Sequence, residues 1–411
     1  MQSFTKKLFS ILLAAIILAV PVIGNAAPSK NDSKKDFRVT TYVVANTVLD
    51  EKNVHQEDFD IITDVILFGC ARFDENGNLN VDEQLLTKSL KNLRNAIGNR
   101  DIKITIALLG PSYNGESKDW NDQMKKQGRL HNKAFSNPEL ITSIVKLLDD
   151  YDLDGVQFDY EYPIDVINWF HFSKFLVSLD KQLGDKTLGA AVSDWDMKLS
   201  KSAIKALDHI ELMLYDVFDD AGKHAPSELC KNLSKKIKRA GIPAQKVDFG
   251  LPFYSRPTDH SAYWYGYNSF ADLLDENGFY HDDNINKDFW FNTPDVIADK
   301  TAYAFENNFG GVMIWHYACD FASSDPRSLL GAIGSTLDSF NTNSDIPSVP
   351  QPTAPIEDIT TSEQTSSVNS TTEASKDESP NTGSSAAVAV AASALTAGIV
   401  LALVSKKKKE L

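Results

Sequence analysis

One rhythm constrains this chain more than anything else in it. From about residue 37 to residue 340, short apolar runs alternate with longer amphipathic stretches. The runs read as strands over Arg38–Val44, Asp64–Gly69, Lys103–Leu109, Gly155–Tyr160, Leu188–Ser193, Ile210–Tyr215, Lys246–Pro252 and Gly311–Trp315. Helical patterns lie between them at Asp82–Ile97, Asn137–Asp150, Val166–Leu183, Ala225–Ala240 and Asp295–Asn308. A weaker one covers Lys198–Leu207, and Pro326–Phe340 closes the series. Strands separated by helices in this number, over about 300 residues, predict an α/β chain folded as a (β/α)8 TIM barrel. The competing arrangement is an open doubly wound sheet. The glycine-rich phosphate loop that often follows the first strand of such a sheet is absent. The alternation breaks between Tyr254 and Asn292, where "SAYWYGYNSF" and "NKDFWFN" predict an elaborated aromatic loop at the barrel mouth.

Both flanks of this unit read as targeting segments. Residues 1–27 carry Lys6 and Lys7, an apolar core and small residues around Gly24–Ala27. That is the plan of a secretory signal peptide cut after Ala26 or Ala27. An uncleaved anchor is the alternative, disfavoured by the small-residue site and the polar run after it. Residues 341–378 are rich in Ser, Thr, Pro and Glu and poor in aromatics, so they are expected to form a disordered linker or stalk. Residues 379–411 hold Ser379-Pro380-Asn381-Thr382-Gly383, an apolar segment at Ala386–Val404 long enough to span a bilayer, and then Lys406–Lys409. A C-terminal span alone would mean a transmembrane anchor. The five-residue segment resembles the sortase sorting signal of Gram-positive bacteria, with Ser379 where Leu is usual. The resemblance implies cleavage between Thr382 and Gly383, joining of Thr382 to peptidoglycan by sortase, and display at the cell surface.

The net charge of -15 argues against a generic nucleic-acid binder, which would need a basic face. The three cysteines, Cys70, Cys230 and Cys319, are an odd number for an exported protein, so at least one is a free thiol or pairs between chains. No metal-ligand spacing links cysteines and histidines, and neither a structural zinc nor a cofactor is expected.

The fourth run, "LDGVQFDYEYP", carries acids where a buried strand would exclude them. Strand side chains alternate between faces, so Gln157, Asp159 and Glu161 share one, and Val156, Phe158 and Tyr160 the other. In a barrel the apolar set packs on helices and the polar set points inward, rising to the C-terminal rim where barrel active sites lie. A salt-bridged strand end is the structural alternative, but no basic residue is near in sequence. Two close carboxylates cannot both ionise cheaply, so one keeps its proton, and a rim Glu in that state can act as a general acid at neutral pH.

This stretch resembles the signature of glycoside hydrolase family 18, Asp-Gly-x-x-x-Asp-x-Glu, with an acid usual at the fourth position. The family comprises chitinases and endo-β-N-acetylglucosaminidases on (β/α)8 barrels. The resemblance implies that Glu161 protonates the glycosidic oxygen and that Asp159 orients the substrate acetamide. Asp154 and Gly155 would be structural. The acetamido oxygen would be the nucleophile, as in the substrate-assisted exceptions to two-carboxylate catalysis, with retention of configuration. Three further segments agree with the family. "MLYD" at Met213–Asp216 implies that Tyr215 hydrogen-bonds the acetamide, with Met213 and Asp216 at the sugar. "GLPFYSRP" at Gly250–Pro257 places Tyr254, with Arg256, at the cleft. "GGVMIWHYACD" at Gly310–Asp320 makes Trp315 the apolar floor.

Gln157 departs from the pattern, standing where the family has an acid. It is expected to hydrogen-bond Asp159 without being able to take its proton, giving activity with an altered pH profile. The insertion after the seventh strand is shorter than in the deep-cleft processive chitinases of that family, which suggests an open groove and endo cleavage. The expected function is a wall-anchored chitinase-like hydrolase of N-acetylglucosamine polysaccharide. An endo-β-N-acetylglucosaminidase acting on N-glycan chitobiose cores, a peptidoglycan hydrolase and an inactive glycan-binding lectin are the alternatives. The presence of both Asp159 and Glu161 favours an enzyme over the lectin.

Overall fold

The computed structural model describes residues 37–342 apart from 116–118 and 196. The signal, linker and sorting segments expected from the sequence lie outside the described residues. Eight strands run in parallel: β1 (Arg38–Val44), β2 (Asp64–Phe68), β3 (Lys103–Leu109), β4 (Gly155–Asp159), β5 (Thr187–Ser193), β6 (His209–Met213), β7 (Val247–Pro252) and β8 (Gly311–Trp315). Each pairs with its successor, and β1 pairs with both β2 and β8. The ring is therefore closed. An open sheet would leave β2 or β8 with an unpaired edge.

The helices on the outside are α1 (Glu83–Ile97), α2 (Trp120–Phe135), α3 (Pro138–Asp150), α4 (Val166–Leu183), α5 (Lys201–Ala206), α6 (Ser227–Ser234), α7 (Lys236–Ala240), α8 (Pro294–Glu306) and α9 (Leu329–Thr342). Side-chain caps fix several starts. Asp82 accepts from the Leu85 N–H, Asn137 from the Glu139 N–H, and Asp165 from the Ile167 and Asn168 N–H groups. The sequence shows no pattern for α2, because the helix is polar and carries Gly128 at its centre, a poor helix former. Packing explains the glycine: a Cβ there would lie 2.5 Å from the Asn168 side chain of α4. The stretch expected as one helix over Ala225–Ala240 is divided into α6 and α7.

The outward residues of β4 make an aromatic layer with the helices. Phe158 meets Phe175 edge-on at 5.3 Å, and Tyr160 stacks on His131 of α2 at 3.9 Å. Burying each such ring stabilises the fold by about 2–3 kcal/mol. Inside the barrel, Tyr42, Ile66, Phe68, Ala107, Ala191, Met213 and Met313 form a second apolar cluster beneath the C-terminal rim. The aromatic insertion after β7 folds into two antiparallel pairs, Tyr254–Ser255 with Tyr265–Gly266 and Phe279–Asp282 with Lys287–Trp290. Cys70, Cys230 and Cys319 are all buried free thiols, and burial pushes Cys70 up to about 12. Among the described residues no helix is long and apolar enough to cross a membrane.

Candidate active site

The β4 rim brings the signature residues together. Gln157 is fully buried, and Asp159 and Glu161 are half-buried above it. Asp154 points elsewhere. It is exposed at the bottom of the strand, where its Oδ2 accepts the Ile104 N–H at 2.7 Å and its carbonyl accepts the Thr187 N–H at 2.8 Å. These bonds pin β4 between β3 and β5. A Cβ on Gly155 would strike the Thr187 carbonyl oxygen at 2.4 Å, so that tie requires the glycine.

Burial, and next the carboxylate of Glu211, pushes Asp159 up to about 7. Burial and then the Asp159 charge push Glu161 well above the ordinary carboxyl range. The pair thus retains a proton at neutral pH. Asp159 Oδ1 is buried with no hydrogen-bond partner among the described residues. An acceptor left bare in a buried site costs about 1–3 kcal/mol unless something binds it.

The loops after β6 and β7 supply another wall. Tyr215 and Asp216 follow Met213, and the Tyr215 ring lies 6.1 Å from that of Tyr254. Tyr254 donates its hydroxyl to Asp216 Oδ1 at 2.7 Å. Arg256 grips the same carboxylate through Nε and, at 2.9 Å, Nη2. Burial alone would raise Asp216, but the His224 ring and the Arg256 guanidinium outweigh it and hold Asp216 well below the usual carboxylate range. One wall therefore carries a fixed anion and the other a protonated pair. Arg256→Met strands the Asp216 charge, and the expected cost is about 3 kcal/mol. A lowered urea midpoint reads this; an unmoved midpoint would mean that Tyr254 and His224 suffice.

Trp315 ends β8. It packs edge-on against Tyr42 at 5.2 Å and Phe68 at 5.0 Å, with its side chain partly open to the cleft. Together the ends of β4, β6, β7 and β8 bring an aromatic ring, a proton-retaining carboxyl pair and a fixed anion to one rim.

One expectation fails below the rim. Gln157 does not bond Asp159: its Nε2 donates to Glu211 Oε2 and, at 3.3 Å, to the Tyr42 hydroxyl. Glu211 is a fully buried carboxylate whose strong acceptor captures the amide. Its Oε1 is held by His209 Nδ1 at 2.5 Å. Sequence reading passed over this acid, although "HIELM" places His209, Glu211 and Met213 on one inward face. His209, Glu211 and Asp248 bring ligand-type atoms within 4.8 Å of one another. Their oxygens are already engaged, Asp248 by Arg38 and Thr40 and Glu211 by Gln157 and His209. That donor set suits an ion-pair network rather than a cation.

The family model "Glycosyl hydrolases family 18" matches residues 38–320, the whole barrel. The chain belongs to this family. Among curated proteins, Endochitinase 1 of Metarhizium anisopliae is 22% identical over 258 residues, 50% of this chain and 60% of that protein. The chain thus spans about three fifths of that relative's length. Among solved structures, a family 18 chitinase from the chitin utilization locus of Flavobacterium johnsoniae has TM-score 0.58 and 26% identity, covering 74% of this chain and 95% of that one. The Group IV chitinase of Ostrinia furnacalis, solved with allosamidin, has TM-score 0.59 at 19% identity, covering 74% and 99%, and attests the fold alone.

Within the family 18 barrel, ring contacts continue outside the signature. Tyr162 meets Trp195 at 5.3 Å, and Trp195 meets Trp120 at 6.0 Å. On the other side Trp264 stacks between Tyr254 and His316, at 5.2 Å and 5.5 Å. Trp195 leaves 48% of its surface exposed, which is unusual for so large an apolar ring.

Proposed function

We propose that the protein is an endo-acting chitinase-like hydrolase that cleaves β-1,4 bonds after N-acetylglucosamine by substrate-assisted, retaining catalysis. The observation that carries this reading is the distribution of charge among the rim carboxylates. Glu161 holds a proton it can give to the glycosidic oxygen. The third rim carboxylate, Asp216, is bound by Arg256, Tyr254 and His224, so it is poorly placed to attack a sugar carbon or deprotonate water. A two-carboxylate mechanism needs one of those roles filled by a free acid across the bond from Glu161, and Asp159 shares the strand face of Glu161. The substrate's own acetamido oxygen fills it instead. Tyr215 would hydrogen-bond the acetamide carbonyl, and Asp159 Oδ1 would accept its N–H, steadying the positive oxazolinium that forms. Trp315 would carry the apolar face of the sugar at the cleavage point. Tyr162, Trp195 and Trp120 would seat sugars beyond it. The names of the relatives, chitinases of fungal and bacterial sources, support the substrate class.

The chain's ends support secretion and attachment to a Gram-positive cell wall through Thr382. The test takes the secreted protein with chito-oligosaccharides, a high-mannose glycoprotein and peptidoglycan in parallel. Chito-oligosaccharides shortened from within, with the β-anomer formed first, are the expected result. Release of an intact glycan from the glycoprotein alone would move the substrate to N-glycans, and binding without cleavage of any would leave a lectin. Mass spectrometry of the wall-released form should end at Thr382; an intact sequence through Gly383 would overturn sorting.

A further inference from the structure

The acid that the signature lacks at Gln157 reappears two strands away, on β6. We propose that Glu211, braced by His209 and linked to β4 through the Gln157 amide, is a positioning residue for the Asp159–Glu161 pair. This rests on the hydrolase reading of that pair.

The geometry is laid out by strand register. Gln157, Gly189 and His209 are direct neighbours across β4, β5 and β6, and Glu211 stands one inward position above His209, level with Ala191 and Asp248. Both oxygens of Glu211 are used: Oε1 by His209 Nδ1 at 2.5 Å, and Oε2 by Gln157 Nε2. The amide orientation follows, because a flipped Gln157 would turn its oxygen toward the carboxylate. The arrangement has reserved space. A Cβ on Gly189 would lie 1.9 Å from Gln157 Oε1 and 2.5 Å from His209 Cε1, so only glycine lets both side chains meet over β5.

The other groups facing this layer do not substitute for Glu211. On β1, Arg38 and Thr40 are committed to Asp248 of β7, and Tyr42 is a neutral hydroxyl that accepts the second Gln157 bond at 3.3 Å. On β2, Asp64 accepts from Thr63 at 2.6 Å at the bottom of the barrel. Burial works against a charged His209, but the Glu211 carboxylate outweighs it and raises the imidazole. The fully buried Glu211 side chain thus has the His209 ring as its partner. After burial, the Glu211 charge is the influence that pushes Asp159 upward. The family's acid at position 157 would share a proton with Asp159 directly. Here the Glu211 carboxylate opposes ionisation of Asp159 from two strands away, while the Gln157 amide ties β4 to β6 across β5.

The test measures kcat, KM and the pH–rate profile on a chito-oligosaccharide for the parent, Glu211→Gln, and the double variant Glu211→Gln with Gln157→Asp. Deleting the charge removes repulsion from Asp159, so the acid limb, which follows ionisation of Asp159, should move to lower pH by about one unit. kcat at neutral pH should fall about tenfold with KM within twofold, because Glu211 touches no substrate. The double variant returns a negative charge to the interior beside Asp159, and its limb should come back to within a few tenths of the parent's. A merely structural role predicts lowered stability with no shift, and no rescue by the double variant. Either result would overturn the proposal. Carboxyl 13C titration of Asp159 reads the same shift without turnover. A parent that cleaves nothing would therefore sink the hydrolase reading and leave this one measurable. If Glu211→Gln does not fold, the double variant decides alone: folded protein with a limb about one unit acidward of the parent would refute the charge-transfer argument.

Discussion

Glu161→Gln should lose about 100- to 10,000-fold in kcat while keeping the fold and the ability to bind glycan, the range expected when a positioned general acid is removed. The amide matches the carboxyl in size and sits in the same half-buried place at the β4 rim. What it lacks is the transferable proton. Stability should change in the opposite sense to activity. Burial, then Asp159, raises Glu161 above its ordinary value of 4.5, so the folded state binds that proton more tightly than the unfolded chain does. The parent's stability from this group is full below pH 4.5 and is lost as pH rises through the raised folded value. The neutral amide never ionises, so Glu161→Gln should match the parent in acid and exceed it in midpoint at pH 8 to 9. Isothermal titration with a chito-oligosaccharide checks binding, and thermal melts across pH check the sign. Turnover within tenfold of the parent would remove Glu161 from the proton-donor role.

The barrel was legible because its strands are short apolar segments between helices, and several boundaries agree to the residue. β1, β3 and β8 span the ranges the pattern predicts. The legible parts of the site lie on single strands, where alternation alone sorts faces: Asp159 and Glu161 on β4 are the clearest case. What stayed hidden depends on two strands meeting. Glu211 looks in sequence like an isolated polar residue in an apolar run, and its importance comes from Gln157 and His209, brought alongside by the register of β4, β5 and β6. Asp216 was placed at the sugar by its motif, but its fixed charge needs Arg256 and His224 from outside β6. Helix α2 was missed for a different reason. Its buried face includes His131 and Gly128, neither of which registers as apolar periodicity, though His131 stacks on Tyr160 behind the catalytic strand.

Asp159→Asn separates the two carboxyls, which Glu161→Gln cannot do. The amide keeps the shape beside Glu161 and can hydrogen-bond an acetamide, yet it cannot carry the negative charge that steadies a positive oxazolinium. A kcat loss of about 100-fold follows, comparable to removing one preorganised electrostatic contact from an enclosed site, with KM changed little. The pH profile gives the stronger discrimination. After burial, the Asp159 charge is the largest influence holding Glu161 upward, and Arg256 pulls the other way. Removing Asp159's charge therefore lowers Glu161, and the alkaline limb of the residual activity should move to lower pH by about one unit. Glu161→Gln has no such limb from residue 161 at all. Asp159→Asn and Glu211→Gln should thus move different limbs, the first the alkaline limb through Glu161 and the second the acid limb through Asp159, with the larger loss of kcat for the first because Asp159 meets the substrate and Glu211 acts through it. Rates measured from pH 4 to 9 on one chito-oligosaccharide decide the matter. A profile for Asp159→Asn that scales the parent's without moving it would mean that Glu161 keeps its proton through burial alone, and that Asp159 serves orientation and not charge.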